Sequence, residues 1–232
     1  MPVRTCVITG ASRGIGRATA LRFAHAGSNI VAVARTKAEL DEAARRIVAA
    51  GGVCEPVTAD IGQAEEARRT IAVARQRFGR VDVLVNNAGA APLAAIDQLD
   101  PAEFDRVCAV NMAALFHTTR AVWPLMKAQG GGVIINMSSL ASVDPFPGFG
   151  VYGASKAWVN LFSQAAASEG KPYGIRVFSV APSAVETSLM RTAFPDFPAA
   201  KTLDPDDVAA VIVSLCDDAL AYCSGQTIFV RR

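Results

Sequence analysis

The sequence predicts a doubly wound α/β fold, a single domain in which helices cover both faces of a parallel sheet of about seven strands. Short, continuous runs of β-branched and apolar residues recur along the chain, as in strands that are buried on both faces. Amphipathic helical stretches separate these runs, and such alternation is typical of parallel sheets. The chain has 232 residues, 51% of them hydrophobic, and no linker or charge run divides it. One domain over residues 1–232 is therefore expected.

The predicted strands are the apolar runs, taken in chain order. Each is rich in Val, Ile and other residues that fit a pleated, buried surface. They are expected at residues 3–9, 30–34, 53–59, 81–86, 133–137, 176–181 and 227–230.

The predicted helices are the amphipathic segments between these strands. The first begins in a glycine-rich turn after the first strand, and the last begins at Asp204, where Pro205 would occupy the first helical position. The helices between them are expected at residues 37–50, 64–78, 101–129 and 152–169.

Composition excludes several classes of protein. Five cysteines, an odd number without a CxxC pair, predict buried free thiols in a reducing compartment. The segment from Met1 to Arg4 leads into a strand without the apolar core of a signal peptide, and no run of 18 apolar residues occurs. We therefore expect a cytoplasmic protein with no membrane partner. Because no His/Cys/Asp cluster has metal-ligand spacing, we also expect no metal.

The charge is small overall but unevenly distributed. The net charge of +2 does not indicate a nucleic-acid partner. Residues 1–38 nevertheless hold six basic side chains and no acidic one. Such a local positive field suits the binding of a small phosphorylated anion. The alternative interpretation is that these residues form a solvated basic helix face with no binding role. The basic residues are Arg4, Arg13, Arg17, Arg22, Arg35 and Lys37.

Three glycines follow the first predicted strand. Gly10, Gly14 and Gly16 lie where bare backbone lets a pyrophosphate approach the amides of a helix N-terminus. The spacing is G-x-x-x-G-x-G rather than G-x-G-x-x-G, so a merely tight turn is the alternative. The position between a strand and a helix favours a dinucleotide site.

The second predicted strand ends in Arg35, where an acidic residue usually binds the ribose 2′-hydroxyl of NAD. The first acidic residue of the chain is Glu39, and Arg13 lies inside the glycine turn. Two guanidinium groups would converge on a 2′-phosphate with charge-assisted hydrogen bonds. This favours NADP(H) over NAD(H). The alternative is that Arg35 is an ordinary surface cation at the start of a helix.

Tyr152 and Lys156 are four residues apart, which places them on one face of the predicted helix. A free phenol has a pKa near ~10, and a nearby ammonium and an oxidised nicotinamide ring would favour the tyrosinate. The pair therefore predicts a proton-transfer site beside the dinucleotide site. A lone Tyr on a helix is otherwise a packing residue.

The ordered set of motifs resembles one known family. The motifs are the T-G-x-x-x-G-I-G turn from Thr9 to Gly16, Asn86-Asn87-Ala88-Gly89, Asn111, Ser139 and Tyr152-x-x-x-Lys156. Together they resemble the short-chain dehydrogenase/reductase family, in the branch of small single-domain enzymes that includes the 3-oxoacyl-carrier-protein reductases. The resemblance runs from Val3 to about Val230. It implies a Rossmann fold and hydride transfer between NADPH and a ketone or secondary alcohol.

The resemblance implies a catalytic role for each of four residues. Tyr152 would be the general acid in reduction and the base in oxidation, and Lys156 would favour its tyrosinate and bond the nicotinamide ribose. Ser139, thirteen residues before Tyr152, would hydrogen-bond the substrate oxygen. The side chain of Asn111 would hold a water that links Lys156 to solvent.

The resemblance also implies the cofactor contacts. Asp60 would accept from the adenine amino group, Asn87 to Gly89 would lie beside the adenosine ribose, and Val185 and Thr187 would bond the carboxamide and pyrophosphate. Ser183 stands where the family usually has glycine, which would cost energy if that position needs a positive φ. The expected set is Gly10, Ser12, Arg13, Gly14, Ile15, Gly16, Arg35, Asp60, Ile61, Asn87, Ala88, Gly89, Tyr152, Lys156, Pro182, Val185 and Thr187.

Two segments are expected to shape the substrate pocket, residues 144–150 and a short substrate loop at 188–203. Both are aromatic and proline-rich with few charges, which favours an apolar carbonyl or alcohol substrate; loops anchored to the core are the alternative. The resemblance further implies that the helices at 101–129 and 152–169 pack against a twofold mate. A homotetramer is expected, with a dimer as the alternative.

Two other functions stay open at this point. A protein of the same fold that senses NADP(H) without turnover would not need a proton donor at the Tyr152 position. An NAD-dependent alcohol dehydrogenase is disfavoured by Arg35 and by the absent acidic residue.

Overall fold

Seven parallel strands form one sheet at the centre of the computed structural model, which describes residues 3–232. The strands are Thr5–Thr9 (β1), Asn29–Ala34 (β2), Val53–Thr58 (β3), Val83–Asn86 (β4), Gly132–Met137 (β5), Ile175–Pro182 (β6) and Thr227–Val230 (β7). Their spatial order is β3-β2-β1-β4-β5-β6-β7. The order reverses between β1 and β4, and in open α/β sheets a ligand crevice lies at the carboxyl ends of the strands at such a point.

The helices alternate with the strands along the chain. They are Gly14–His25 (α1), Lys37–Ala49 (α2), Ala64–Phe78 (α3), Pro101–Val107 (α4), Ala114–Ala128 (α5), Gly150–Gly170 (α6), Ser188–Ala193 (α7) and Pro205–Ser214 (α8). The predicted doubly wound α/β fold with seven strands is confirmed. Among the described residues, no helix is both long and apolar enough to cross a membrane.

The core lies on both faces of the sheet because neighbouring strand residues point to opposite sides. Ile8 belongs to a buried cluster with Phe23, Leu40 and Ile212, from α1, α2 and α8. Val7 belongs to a second cluster, which includes Val122 of α5. Both faces are therefore apolar, which explains why the strands have continuous apolar sequences.

The strand predictions need small corrections. The first strand begins at Thr5 instead of residue 3, and the part of the prediction that concerns Met1 and Pro2 lies outside the described residues. The fourth begins at Val83 instead of residue 81, because Asp82 turns its side chain to the backbone N–H of Thr5 (2.8 Å) and to Arg80. These ends differ because apolar patterning marks buried residues and not the limits of strand pairing.

The expected helix at 101–129 is not one regular α-helix. A π-helical segment, Cys108–Ala113, separates α4 from α5 and contains Asn111. Such segments carry one extra residue per turn and re-aim the side chains around them. Here it brings the buried Asn111 side chain against the loop after β4.

The basic charges near the N-terminus are partly neutralised in the fold. Arg22 forms a two-pronged ion pair with Asp206 of α8, with distances of 2.6 Å, and Lys37 pairs with Asp41. The positive field predicted from residues 1–38 is therefore weaker than the sequence suggests, because acidic partners come from later segments. Among the described residues, no carboxylate pairs with Arg35.

Candidate active site

The glycine turn between β1 and α1 is tightly packed against the loop after β4. Gly10 has a φ of 65°, and a Cβ at Gly16 would lie 2.3 Å from the carbonyl oxygen of Gly10. The Asn87 side chain donates from Nδ2 to the carbonyl oxygens of Thr9 and Gly10, at 3.0 and 3.2 Å. Any side chain at Gly16 would push this turn apart, so glycine is required there by contact.

The N-terminus of α1 is free to bind an anion. Arg13 is its N-cap residue, makes no side-chain capping bond, and is followed by no acidic residue in the first turn. The first amides of a helix have no partners within the helix, and they favour negative charge through the helix dipole. Together with the bare glycine backbone, this end of α1 fits the pyrophosphate of a dinucleotide.

A cavity of about 780 Å³ runs from the glycine turn to Tyr152. It lies at the carboxyl ends of the strands, at the reversal point between β1 and β4, as expected for this class of sheet. All the predicted site residues line it except Gly16 and Asn111, which lie behind its wall. A space of this size is in the range of small-molecule and cofactor sites.

Tyr152 and Lys156 lie together at one end of the cavity, as their four-residue spacing predicts. The Lys156 ammonium lies 5.7 Å from the centre of the Tyr152 ring and donates to the carbonyl oxygen of Met137 at 2.8 Å. Burial lowers the pKa of Lys156 to about 8, because a buried ammonium loses its hydration. The pKa of Lys156 is therefore close enough to neutral pH for its ammonium to exchange a proton.

The protein surroundings of Tyr152 shift the pKa of its phenol upward, whereas the expected lowering depends on Lys156 together with an oxidised nicotinamide ring. Burial raises it above its ordinary value, and the nearby Ser139 hydroxyl offsets only part of this effect. The Lys156 ammonium hydrogen-bonds the carbonyl oxygen of Met137. Desolvation disfavours the tyrosinate, so the phenol is held protonated in the protein alone.

Ser139 follows β5 and faces the same end of the cavity. It is the N-cap of the short 3₁₀ turn Leu140–Ser142, and its Oγ accepts from the N–H of Ala141 at 3.2 Å. The neighbouring Ser138 is buried and donates to the carbonyl oxygen of Lys156 at 3.1 Å, which ties β5 to α6. Only Ser139 of the two hydroxyls is directed toward Tyr152.

Asn111 is held by protein atoms. Its Oδ1 accepts from the N–H of Ala90 at 2.8 Å, and its Nδ2 donates to the carbonyl oxygen of Ala90 at 2.9 Å and to Ser155 Oγ at 3.0 Å. Ser155 in turn donates to the carbonyl oxygen of Tyr152 at 2.7 Å. Both amide hydrogens are therefore used by protein atoms, and only the second lone pair of Oδ1 is left to bind a water. These contacts connect Asn111, through Ser155, to the turn of α6 that carries Tyr152.

The end of the cavity where the adenosine is predicted to bind is lined by Arg13, Arg35, Asp60, Ile61 and Ala88. Asp60 is exposed, and its Oδ1 accepts from the N–H of Gly62 at 3.1 Å. The N–H of Ala88 donates to Thr9 Oγ1 at 3.1 Å, so the residues after β4 are held by β1. The predicted contacts at this end are therefore brought together by the fold.

The loop after β6 closes the opposite side of the cavity. Thr187 is the N-cap of α7 and accepts from the N–H of Met190 at 3.2 Å, and its methyl group lies against Gly14. Ser183 is not strained, because no described residue other than glycine has a positive φ. The expected conformational cost of serine at this position is thus absent.

The two substrate segments meet as one aromatic cluster, formed by Phe146, Phe149, Phe194 and the ring of Tyr152. Phe146 stacks on Phe149 at 5.2 Å, and Phe194 meets both rings edge-on at 5.8 and 5.4 Å. Phe149 lies 4.9 Å from Tyr152 between ring centres. The aromatic rings that the sequence places in separate loops therefore form one apolar wall beside the phenol.

The substrate loop is tied to the loop after β6 by Arg191. Its guanidinium donates to Glu186 Oε1 at 2.7 Å and to the carbonyl oxygen of Phe197 at 2.6 Å. The Arg191 guanidinium holds the pKa of Glu186 below its ordinary value. This pair fixes α7 over the cavity.

One cavity residue was overlooked as a site residue in the sequence. Glu39, in the first turn of α2, accepts from Ser12 Oγ at 3.2 Å and lies 3.9 Å from the Arg13 guanidinium. The sequence signal was available, since the start of α2 faces the same edge of the sheet as the glycine turn. Among residues 3–232, no group of three or more His, Cys, Asp and Glu side chains is arranged to hold a metal ion.

Comparison with known proteins gives consistent results. The family model described as short chain dehydrogenase matches residues 4–197. The 3-oxoacyl-[acyl-carrier-protein] reductase of Thermotoga maritima is 34% identical, with 97% of this chain and 95% of the relative covered. The 3beta-hydroxysteroid dehydrogenase 1 of Eggerthella lenta is 36% identical, with 98% and 92% covered. The crystal structure of 3-ketoacyl-(acyl-carrier-protein) reductase from Brucella melitensis, complexed with NADH, superposes with a TM-score of 0.91 at 34% identity and covers 98% of this chain and 96% of that one.

Proposed function

The chain belongs to the short-chain dehydrogenase family, and from that premise we propose that it is an NADP(H)-dependent carbonyl reductase. Its reaction would transfer a hydride between NADPH and an apolar ketone or secondary alcohol. The observation that carries the proposal is the placement of Ser139, Tyr152 and Lys156 around one end of a cavity whose other end is the glycine turn. A dinucleotide that spans this cavity would meet a proton donor at its far end.

The protein side of the reaction follows from the contacts of these three residues. The bound nicotinamide would supply the hydride in reduction and accept it in oxidation. Tyr152, whose phenol is kept protonated by burial, would donate its proton to the substrate oxygen. Ser139 would donate a hydrogen bond to the same oxygen as negative charge develops there. Lys156, with a pKa of about 8, would return a proton to Tyr152.

Asn111 is proposed as a positioning residue in this scheme. Its side chain joins the loop after β4 to Ser155 and, through Ser155, to the backbone of Tyr152. It would keep the phenol at the reacting distance without contacting substrate.

The test of the function is NADPH oxidation by the purified protein with a panel of ketones, diketones, quinones and 3-oxoacyl thioesters, run in parallel with NADH. We expect turnover with NADPH on at least one apolar carbonyl. NADPH binding without turnover on any of them would favour the sensor instead, and binding of NADH alone would favour an NAD-dependent dehydrogenase.

The cofactor preference is proposed from two basic residues at the adenosine end. Arg35 directly follows β2, lines the cavity and has no ion-pair partner in the described part of the chain, and Arg13 lines the same end. We predict that Arg35→Asp weakens NADPH binding at least about tenfold more than NADH binding, since it replaces an attraction by a repulsion. Dissociation constants from fluorescence titration measure this difference. Arg75→Asp, on the exposed face of α3, is the control, and equal losses for both cofactors would remove Arg35 from the 2′-phosphate site.

The substrate is proposed to be a ketone on a bulky apolar body. The aromatic cluster beside Tyr152 supports this, and the two named relatives act, by their names, on an acyl chain and on a steroid. Phe146 is 48% exposed, so part of its ring remains for a substrate to cover.

Phe146→Ala is expected to raise KM for bulky apolar ketones roughly fivefold, because apolar contact area is lost, with a smaller change in kcat. Phe104→Ala is a matched control, since this ring is 49% exposed on α4 and does not line the cavity. Steady-state kinetics with one bulky and one small ketone measure the effect. An equal change for both ketones would place Phe146 outside the substrate site.

Assembly as a homotetramer, with a dimer as the alternative, is also part of the proposal. Its support is the apolar surface of α5 and α6, where Leu161 is 68% exposed and Phe116 meets Phe162 edge-on at 6.3 Å. Exposed apolar side chains on adjoining helices are typical of interfaces between subunits.

A further inference from the structure

Glu39 lies among the residues that would bind the adenosine ribose. Its Oε2 accepts a hydrogen bond from Ser12 Oγ at 3.2 Å, and its Oε1 lies 3.9 Å from Arg13 Nη1. Glu39 lines the cavity together with Arg35 and Thr36. One carboxylate therefore contacts both polar side chains that the glycine turn directs into this end of the cavity.

The position of this carboxylate changes what the two arginines would do. A 2′-phosphate that bonds Arg13 and Ser12 would have to displace Glu39 from them or lie beside it as a like charge. A ribose without the phosphate carries hydroxyl groups, and a carboxylate is a strong acceptor for hydroxyl donors. Glu39 would therefore weaken the binding of NADPH and strengthen the binding of NADH.

We propose that Glu39 is a cofactor-specificity residue, which narrows the preference for NADPH that Arg13 and Arg35 create and lets the enzyme use both cofactors. The inference rests on the proposed function only for the class of cofactor. The charge pattern of the sequence does not indicate this role, because residues 1–38 contain only basic charges.

The expected effect of Glu39 on cofactor affinity is limited by the solvent exposure of the charged side chains. The side chains of Arg13 and Glu39 are 62% and 46% exposed, so water screens their interaction with a phosphate. At a separation near ~4 Å in a water-like dielectric, one charge pair changes an equilibrium by about a factor of five. A preference that is shifted but not reversed is therefore expected.

The test compares Glu39→Gln with the wild-type protein by isothermal titration calorimetry of NADPH and NADH at low ionic strength. Glutamine keeps the size of the side chain and removes the charge. We expect NADPH to bind roughly fivefold more tightly and NADH to bind more weakly, and the gain for NADPH to shrink in ~1 M salt. Glu42→Gln, one turn further along α2 and outside the cavity, is the control and should change neither constant.

The measurement separates this inference from the function on which it rests. If the wild-type protein binds both cofactors and Glu39→Gln leaves their ratio unchanged, the inference is wrong and the proposed function stands. If the wild-type protein binds neither cofactor, both are overturned. Because binding alone is read, a missing substrate does not affect the result.

Discussion

Tyr152→Phe is expected to lower kcat for carbonyl reduction by about a thousandfold while NADPH binding changes less than about threefold. The variant removes only the phenolic hydroxyl, and a positioned general acid contributes roughly 10²–10⁴ to a rate. The ring would keep its packing against Phe149, 4.9 Å away, so the cavity should retain its shape. The loss should therefore appear in kcat and not in the dissociation constant for the cofactor.

This expectation is measured by single-turnover reduction with NADPH, together with a calorimetric dissociation constant. Tyr173→Phe is a matched control, because Tyr173 lies outside the cavity and Lys127 sits over the face of its ring, an interaction that phenylalanine preserves. Turnover of Tyr152→Phe within tenfold of the wild-type protein would show that another group donates the proton.

Lys156→Met is expected to abolish most turnover and to make the protein more stable. The lysine is 4% exposed, and its pKa of about 8 in the folded protein lies below its ordinary value of 10.5. Burying the ammonium thus costs up to about 3 kcal/mol below pH 8. Loss of the hydrogen bond to Met137 reduces this benefit by about 1 kcal/mol. The free energy of unfolding of Lys156→Met should therefore be roughly 2 kcal/mol higher than that of the wild-type protein at pH 7.

The cost of burying the Lys156 ammonium depends on pH. Below pH 8 the lysine is charged in both the folded and the unfolded chain, and the whole burial cost is present. Between about 8 and 10.5 the folded protein releases the proton while the unfolded chain keeps it, so the cost declines as pH rises. The stability advantage of Lys156→Met should therefore be largest at pH 7 and smaller at pH 9.5.

Urea unfolding of the cofactor-free proteins at these two pH values measures the free energy of unfolding. Lys171→Met, at an exposed position, should change it by less than about 0.5 kcal/mol at either pH. A Lys156→Met protein that is less stable at pH 7 would show that the ammonium is well solvated or paired in the folded state.

The fold was predictable because its signals are local. Each predicted apolar run is a strand in the structure, with ends shifted by a few residues at most. The reason is that a strand buried on both faces is apolar at nearly every position. Tyr152 and Lys156 could likewise be paired from their spacing, because residues four apart share one face of a helix. The seven-stranded parallel sheet and the family both followed from these patterns.

The environment of the site residues was not predictable in the same way. The helix around Asn111 contains a π-helical segment, and its side chain bonds Ala90 and Ser155. Burial holds the phenol of Tyr152 protonated in the protein alone, whereas the expected shift toward the tyrosinate depends on an oxidised nicotinamide ring as well as Lys156. Both outcomes depend on neighbours far away in the chain.

The sequence by itself determined the order of strands and helices, the glycine turn and the spacing of Ser139, Tyr152 and Lys156. Only the tertiary structure decided that Phe146 and Phe194 meet in one wall and that Glu39 contacts Ser12 and Arg13. The physical reason is that periodicity and spacing act along the chain, whereas pKa values and charge pairing depend on distances through space between residues that the fold brings together.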